Sequence, residues 1–149
     1  MINHKNEVKL IDFGFSVLEK KRKPQLDIAG SPAYIAPETL DSKQGMPADV
    51  WSLGVTFFQV LSGRLPFEGK NHVATLDLIK KGEYQMPDFF SDDLKDLMDK
   101  MLKVDFSKRI TLLDLLRHPW LNQKSGSYKF TPEDNNEDYV SVVNNLKKY

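Results

Sequence analysis

The sequence predicts a mainly α-helical domain with one short β segment near its start and a polar tail at its end. Three observations carry this. A stretch from about Pro47 to Leu61 is apolar on every helical face. Three further stretches repeat apolar residues at helical spacing behind capping residues. Only residues 8–11 alternate in strand fashion.

The elements follow in order. Val8-Lys9-Leu10-Ile11 is β-branched at both ends and reads as a short strand running into a turn at Asp12-Phe13-Gly14. Residues 15–29 read as a loop with a basic run, Lys20 to Lys23, and Gly30-Ser31-Pro32 is a second turn signal. Pro37 suits the first turn of a short helix at Ala36-Pro37-Glu38, because its missing N–H has no partner there anyway. The helix from Pro47 to Leu61 carries Val50, Trp51, Leu53, Val55, Phe57, Phe58, Val60 and Leu61. A helix apolar all round needs neighbours all round, so it is expected at the centre of the domain.

Asn71 caps a helix with Val73, Leu76 and Ile79 on one face, ending at Gly82. Ser91 caps another, where Leu94, Leu97, Met98, Met101 and Leu102 recur at i, i+3, i+4, i+7 and i+8. Thr111 with Asp114 resembles a capping box before Leu112–Leu116. Residues 1–121 form the domain. Residues 122–149 read as an acidic polar tail with a short helix near Tyr139–Lys148.

Composition narrows the chemistry. The 149 residues hold 21 Lys+Arg and 21 Asp+Glu, and a zero net charge argues against bulk electrostatic binding to nucleic acid or acidic membranes. There is no cysteine, which removes disulfides, thiolate nucleophiles and Cys-based zinc sites. A cytoplasmic location is the expectation, with the nucleus also open. The first residues lack the apolar core of a secretory signal, and the longest apolar stretch is too interrupted to span a bilayer.

The motifs are weak singly and specific as an ordered set. Asp12-Phe13-Gly14 is followed by Gly30-Ser31-Pro32-Ala33-Tyr34-Ile35-Ala36-Pro37-Glu38. Then come Asp49-Val50-Trp51-Ser52-Leu53-Gly54, Gly63-Arg64-Leu65-Pro66-Phe67, a lone Arg109, and His118-Pro119-Trp120. Over residues 8 to 120 this resembles the serine/threonine protein kinase family, from its metal-binding triplet to the end of its helical C-terminal lobe.

The resemblance implies roles. Asp12 is the carboxylate for Mg²⁺ bridging ATP phosphates, a fitting ligand because a hard cation takes anionic oxygen. Phe13 packs inward and Gly14 lets the backbone turn. Glu38 forms a buried ion pair with Arg109, tying the activation segment to the helices. Asp49 lies at the start of the central helix and bonds the catalytic-loop backbone. Ser31 stands where this class carries Ser or Thr, whereas tyrosine kinases usually carry Pro. Tyr34 and Gly30 belong to the same substrate-facing segment, and Asp27 takes the place where many members carry a phosphothreonine. No Ser, Thr or Tyr occurs between Val17 and Gly30, so that segment holds no phosphate acceptor before Ser31. Gln59 stands where kinases preferring Arg before the acceptor often carry Glu. Phe15 resembles kinases that prefer Ser over Thr.

Within the family, Gly30–Tyr34, Gly54-Val55-Thr56 and Pro66–Gly69 resemble the calcium/calmodulin-dependent protein kinase kinases and other upstream kinases of AMP-activated and SNF1-type kinases. The implied partner is therefore a protein substrate, and the branch resemblance implies that this substrate is another kinase. Calmodulin is not expected, because Val140–Tyr149 is too short and too weakly basic for a calmodulin-binding helix.

The resemblance starts inside the family's domain. The catalytic-loop Asp and Asn, the Gly-rich loop, the strand Lys and its Glu partner have no counterpart in these residues. No catalytic residue is therefore assigned, Met1 is read as an internal methionine of a longer frame, and these residues alone are expected to be inactive. A helix of the absent part is expected to cover the central helix. Two other readings stand beside the enzyme: a docking module built on the helical lobe, and a decayed duplicate.

Overall fold

The computed structural model describes residues 3–5, 7–14, 16, 31–41 and 45–122. Phe15, Asp27, Gly30, the basic run and the expected tail helix near Tyr139–Lys148 lie outside the described residues. Two 3-10 turns, Pro32–Tyr34 and Pro37–Asp41, precede five helices: α1 Met46–Ser62, α2 His72–Lys81, α3 Asp92–Met101, α4 Leu112–Leu116 and α5 Pro119–Asn122.

Helix α1 is the axis of the core. Pro47 sits in its first turn, and it stops at Gly63, whose φ of 74° only a residue without Cβ adopts freely. One face of α1 puts Val50 and Phe58 against Phe90, Leu94, Leu97, Met98, Met101 and Leu115. The other puts Trp51 and Val55 against Ala36, Phe67, Ile79 and Leu102. Each such large side chain contributes roughly 1.5–3 kcal/mol by leaving water. Helices α1 and α3 meet at Gly54, where a Cβ would lie 3.0 Å from Met101 Cβ.

Local capping sets the helix starts. The side chains of Asn71, Ser91 and Thr111 accept from the backbone N–H of Ala74, Leu94 and Asp114 respectively. Helix α5 is braced to α3 by His118, whose Nε2 lies 2.9 Å from Asp96 Oδ2. The N–H of Trp120 donates to His118 Nδ1 at 3.3 Å, so Nε2 carries the proton and donates to Asp96. Hydrogen bonds from Lys100 and then His118 hold the Asp96 carboxyl below its usual range.

Three expectations are corrected. Residues 8–11 do not form a strand: Val8 makes an isolated bridge, the rest are irregular, and Val8, Leu10 and Ile11 are exposed. Among the described residues no strand lies beside this segment to take up its backbone groups. Val73 does not face the core and is 77% exposed. Thr75 is buried instead, because its hydroxyl donates to Asn71 O and accepts from Gly69 N–H. Helix α1 is not covered all round: its last turn leaves Val60 76% exposed and Leu61 partly so.

Candidate functional site

The segment 31–41 lies against α1 and α2 and is fixed at three points. Ser52 Oγ, nearly two turns into α1, donates to Tyr34 O at 2.8 Å. Tyr34 Oη donates to Gln59 Oε1 at 2.5 Å. Ser52 and Gln59 are seven residues apart, so both project from one stripe of the helix. The third point is Glu38, whose two carboxylate oxygens accept from Arg109 Nη1 and Nη2 at 2.6 and 2.8 Å.

That pair is deeply buried, with 0% and 7% of the Arg109 and Glu38 side chains exposed. The guanidinium is satisfied on all sides. Its Nε donates to Lys103 O at 2.9 Å and its Nη1 to Pro47 O at 2.7 Å. Its carbon lies 5.0 Å from the ring centroid of Trp51. Only a planar, five-donor cation can meet a bidentate carboxylate, two carbonyls and an indole face together. One side chain thus joins the 3-10 turn at Pro37–Asp41, the start of α1 and the link after α3.

The Asp12-Phe13-Gly14 triplet is exposed. Asp12 takes a left-handed backbone, φ 61°, and its Oδ1 accepts from the Gly14 N–H at 3.3 Å. A Cβ on Gly14 would meet that same oxygen at 3.2 Å. Phe13 is 67% exposed rather than packed inward, since no described residue covers it. Asp12 offers an anionic oxygen of the kind a hard divalent cation takes, so its chemistry fits Mg²⁺, as one ligand of several. Among the described residues no group of three or more His, Asp or Glu could hold a metal ion.

Asp49 sits exposed in the first turn of α1. Ser31 is exposed, and its carbonyl accepts from the Tyr34 N–H at 3.0 Å. The structure therefore brings Ser31, Tyr34 and Glu38 together on one fixed strip and Arg109 beneath it. Asp12 is part of no such arrangement. The Tyr34–Gln59 bond and the backbone acceptors of Arg109, the carbonyls of Lys103, Pro47 and Val104, have no signature in the sequence. The signal for Gln59 and Ser52 was their polarity, seven residues apart, on a helix rich in apolar residues.

A profile described as the protein kinase domain matches residues 1–121. The chain belongs to this family. Similar proteins include CBL-interacting serine/threonine-protein kinase 13 of Arabidopsis thaliana, 36% identical over 90% of this chain and 28% of that protein. Serine/threonine-protein kinase GIN4 of Saccharomyces cerevisiae is 42% identical over 83% of this chain and 11% of that protein. Serine/threonine-protein kinase PLK4 of Drosophila persimilis is 37% identical over 96% of this chain and 19% of that protein. All three carry serine/threonine kinase names, so the family resemblance is to that class. The chain spans less than a third of the length of each of these relatives. Among the described residues no helix is long and apolar enough to cross a membrane.

Proposed function

We propose that these residues are the helical, substrate-presenting part of a serine/threonine protein kinase, and that on their own they do not transfer phosphate. The observation that carries this is the buried Glu38–Arg109 pair, which fixes the 31–41 strip to the helices in a chain of the protein kinase family. Phosphoryl transfer is governed by positioning and charge neutralisation, so a substrate strip has to be rigid. On this reading Ser31 and Tyr34 line the acceptor peptide's path, with Gly30 and Asp27 in the same segment. ATP and Mg²⁺ are the implied cofactors of the whole protein. Asp12 would hold the metal, which when bound neutralises charge on the nucleotide phosphates. Asp49 would steady the catalytic loop.

Supporting the inactivity of the 149-residue polypeptide, these residues match no counterpart of the family's catalytic-loop Asp and Asn or strand Lys. The branch we favour is that of kinases acting on other kinases, in the cytoplasm, supported by Gly30–Tyr34 and Pro66–Gly69. A non-catalytic docking module is the second reading. The open last turn of α1, with Val60 exposed, favours it.

Radiolabelled ATP separates these. The full-length protein is expected to label protein Ser or Thr and to lose that activity in Asp12→Ala. The 149-residue polypeptide is expected to label nothing above background. Transfer by the polypeptide that vanishes in Asp12→Ala overturns the inactivity. A full-length protein that transfers no phosphate overturns the kinase reading in favour of docking.

A further inference from the structure

A cavity of about 380 Å³ opens between the 3-10 turn Pro37–Asp41, the end of α2 and the link after α3. Glu38 is among the residues that line it and is locked by Arg109 through both carboxylate oxygens. Its apolar wall comes from Pro37, Val104 and Phe106, the last 42% exposed. A fixed lining residue and a partly apolar wall suit the capture of a single large side chain.

The charges at its mouth are what give it direction. Asp105 is committed, its Oδ1 to the Ser107 hydroxyl at 2.6 Å and its Oδ2 to Lys108 at 3.4 Å. Lys81, beside Lys80 on α2, is likewise engaged, with Asp77 at 2.7 Å. Asp41 and Lys80 line the cavity from two different elements, are both exposed, and their side chains make no hydrogen bond or ion pair among the described residues. The cavity thus presents one uncommitted anion and one uncommitted cation beside an apolar wall.

We infer that this cavity is a docking site for a protein segment that inserts one apolar side chain, with a basic residue on the Asp41 side and an acidic residue on the Lys80 side. Charge complementarity selects this occupant. A purely anionic or purely cationic segment meets one like charge at the mouth, and exposed like charges oppose association. The two charges also fix the direction in which the segment lies, because reversing it places like charges together at both ends.

The test uses the full-length protein and two nine-residue peptides with a central p-benzoylphenylalanine. One carries Arg before and Glu after the centre, and the other carries the reverse. After photo-cross-linking, the labelled residues are mapped by mass spectrometry. One order is expected to label residues 37–41 or 104–106 about fivefold more than the other, the discrimination that two exposed ion pairs supply. The double variant Asp41→Lys/Lys80→Glu is expected to reverse that preference with an unchanged circular dichroism spectrum. Equal labelling by both orders, a preference that survives the double exchange, or labelling elsewhere overturns the inference. So do cross-links between two copies of the chain through this face, which would make it a self-association surface.

Discussion

The guanidinium of Arg109 stands 5.0 Å from the ring of Trp51 while gripping Glu38 with two hydrogen bonds, so cation, anion and indole form one buried unit. Removing one member leaves the other charge buried without compensation. Arg109→Met or Glu38→Gln is expected to cost roughly 3–5 kcal/mol. Arg109→Lys keeps the charge yet loses the forked geometry, and is expected to be destabilising too. In urea titrations the double variant Glu38→Gln/Arg109→Met is expected to lose less than the sum of the two single changes. Additive losses would mean that the pair does not act as a unit.

Gly54 of α1 faces Met101 at the end of α3. In Gly54→Ala the new Cβ would lie 3.0 Å from Met101 Cβ and 3.1 Å from Leu102 Cδ2. Alanine gains about 1 kcal/mol of helix propensity, but crowding a packed contact costs typically 1–3 kcal/mol. The net expectation is a loss of stability, read as a lower urea midpoint with an unchanged slope. A raised midpoint would show that the helices part without cost.

Tyr84 packs edge-on against Phe58 and Phe67. Burial, and then the nearby Asp99, push its phenol from 10.0 up to about 12. The unfolded chain gives up this proton near 10 and the folded chain does not. Stability from this group is therefore complete below pH 10 and is lost as pH rises from there through about 12. Tyr84→Phe is expected to flatten the alkaline limb of a stability–pH curve. An unchanged limb would remove Tyr84 as its source.

Gln59 accepts from Tyr34 and carries no charge. It cannot form an ion pair with an arginine of the substrate. On a peptide array the full-length protein is expected to show no selection for Arg before the acceptor, and Gln59→Glu is expected to introduce one. Strong Arg selection by the natural protein that is lost in Gln59→Ala would show the reverse.

The segment 17–30 holds Asp27 and no hydroxyl residue. Phosphate on that segment therefore cannot be its switch. Phosphatase treatment of the full-length enzyme is expected to leave activity unchanged; loss in Asp27→Ala with retention in Asp27→Glu would make Asp27 a stand-in for the phosphate's charge, and no change in either an ordinary loop Asp. Activity that collapses and returns only with a phosphate mapped between Phe15 and Glu38 would overturn this.

Periodicity and capping made most of the helical part legible. Leu94, Leu97, Met98 and Met101 follow one face of α3, and Asn71, Ser91 and Thr111 cap where their side chains predict. What failed was what depends on neighbours. The helical pattern puts Val73 on the core face, but Thr75 is the buried residue, and composition cannot show that a threonine hydroxyl will be satisfied by Asn71 and Gly69. The strand over 8–11 and the inward Phe13 both need a partner surface, which a run of residues does not reveal about itself. At the candidate site, Glu38 and Arg109 were readable from their motif context. The carbonyls of Lys103 and Pro47 that complete the guanidinium's shell were not, because backbone acceptors leave no trace in side-chain identity.

Arg109 is synthesised 71 residues after Glu38. At ribosomal speeds of about 5–20 residues per second, the carboxylate waits roughly 4 to 14 seconds for its cation. Within that interval α1 is completed at Ser62, with Trp51 and Phe58 in it, while Leu97, Met98 and Met101 are still to come. The nascent chain therefore passes through a stage in which its most apolar helix is complete and its anchor is not. That stage is a natural point for chaperone capture, and its length is set by the distance along the chain between the end of α1 and Arg109.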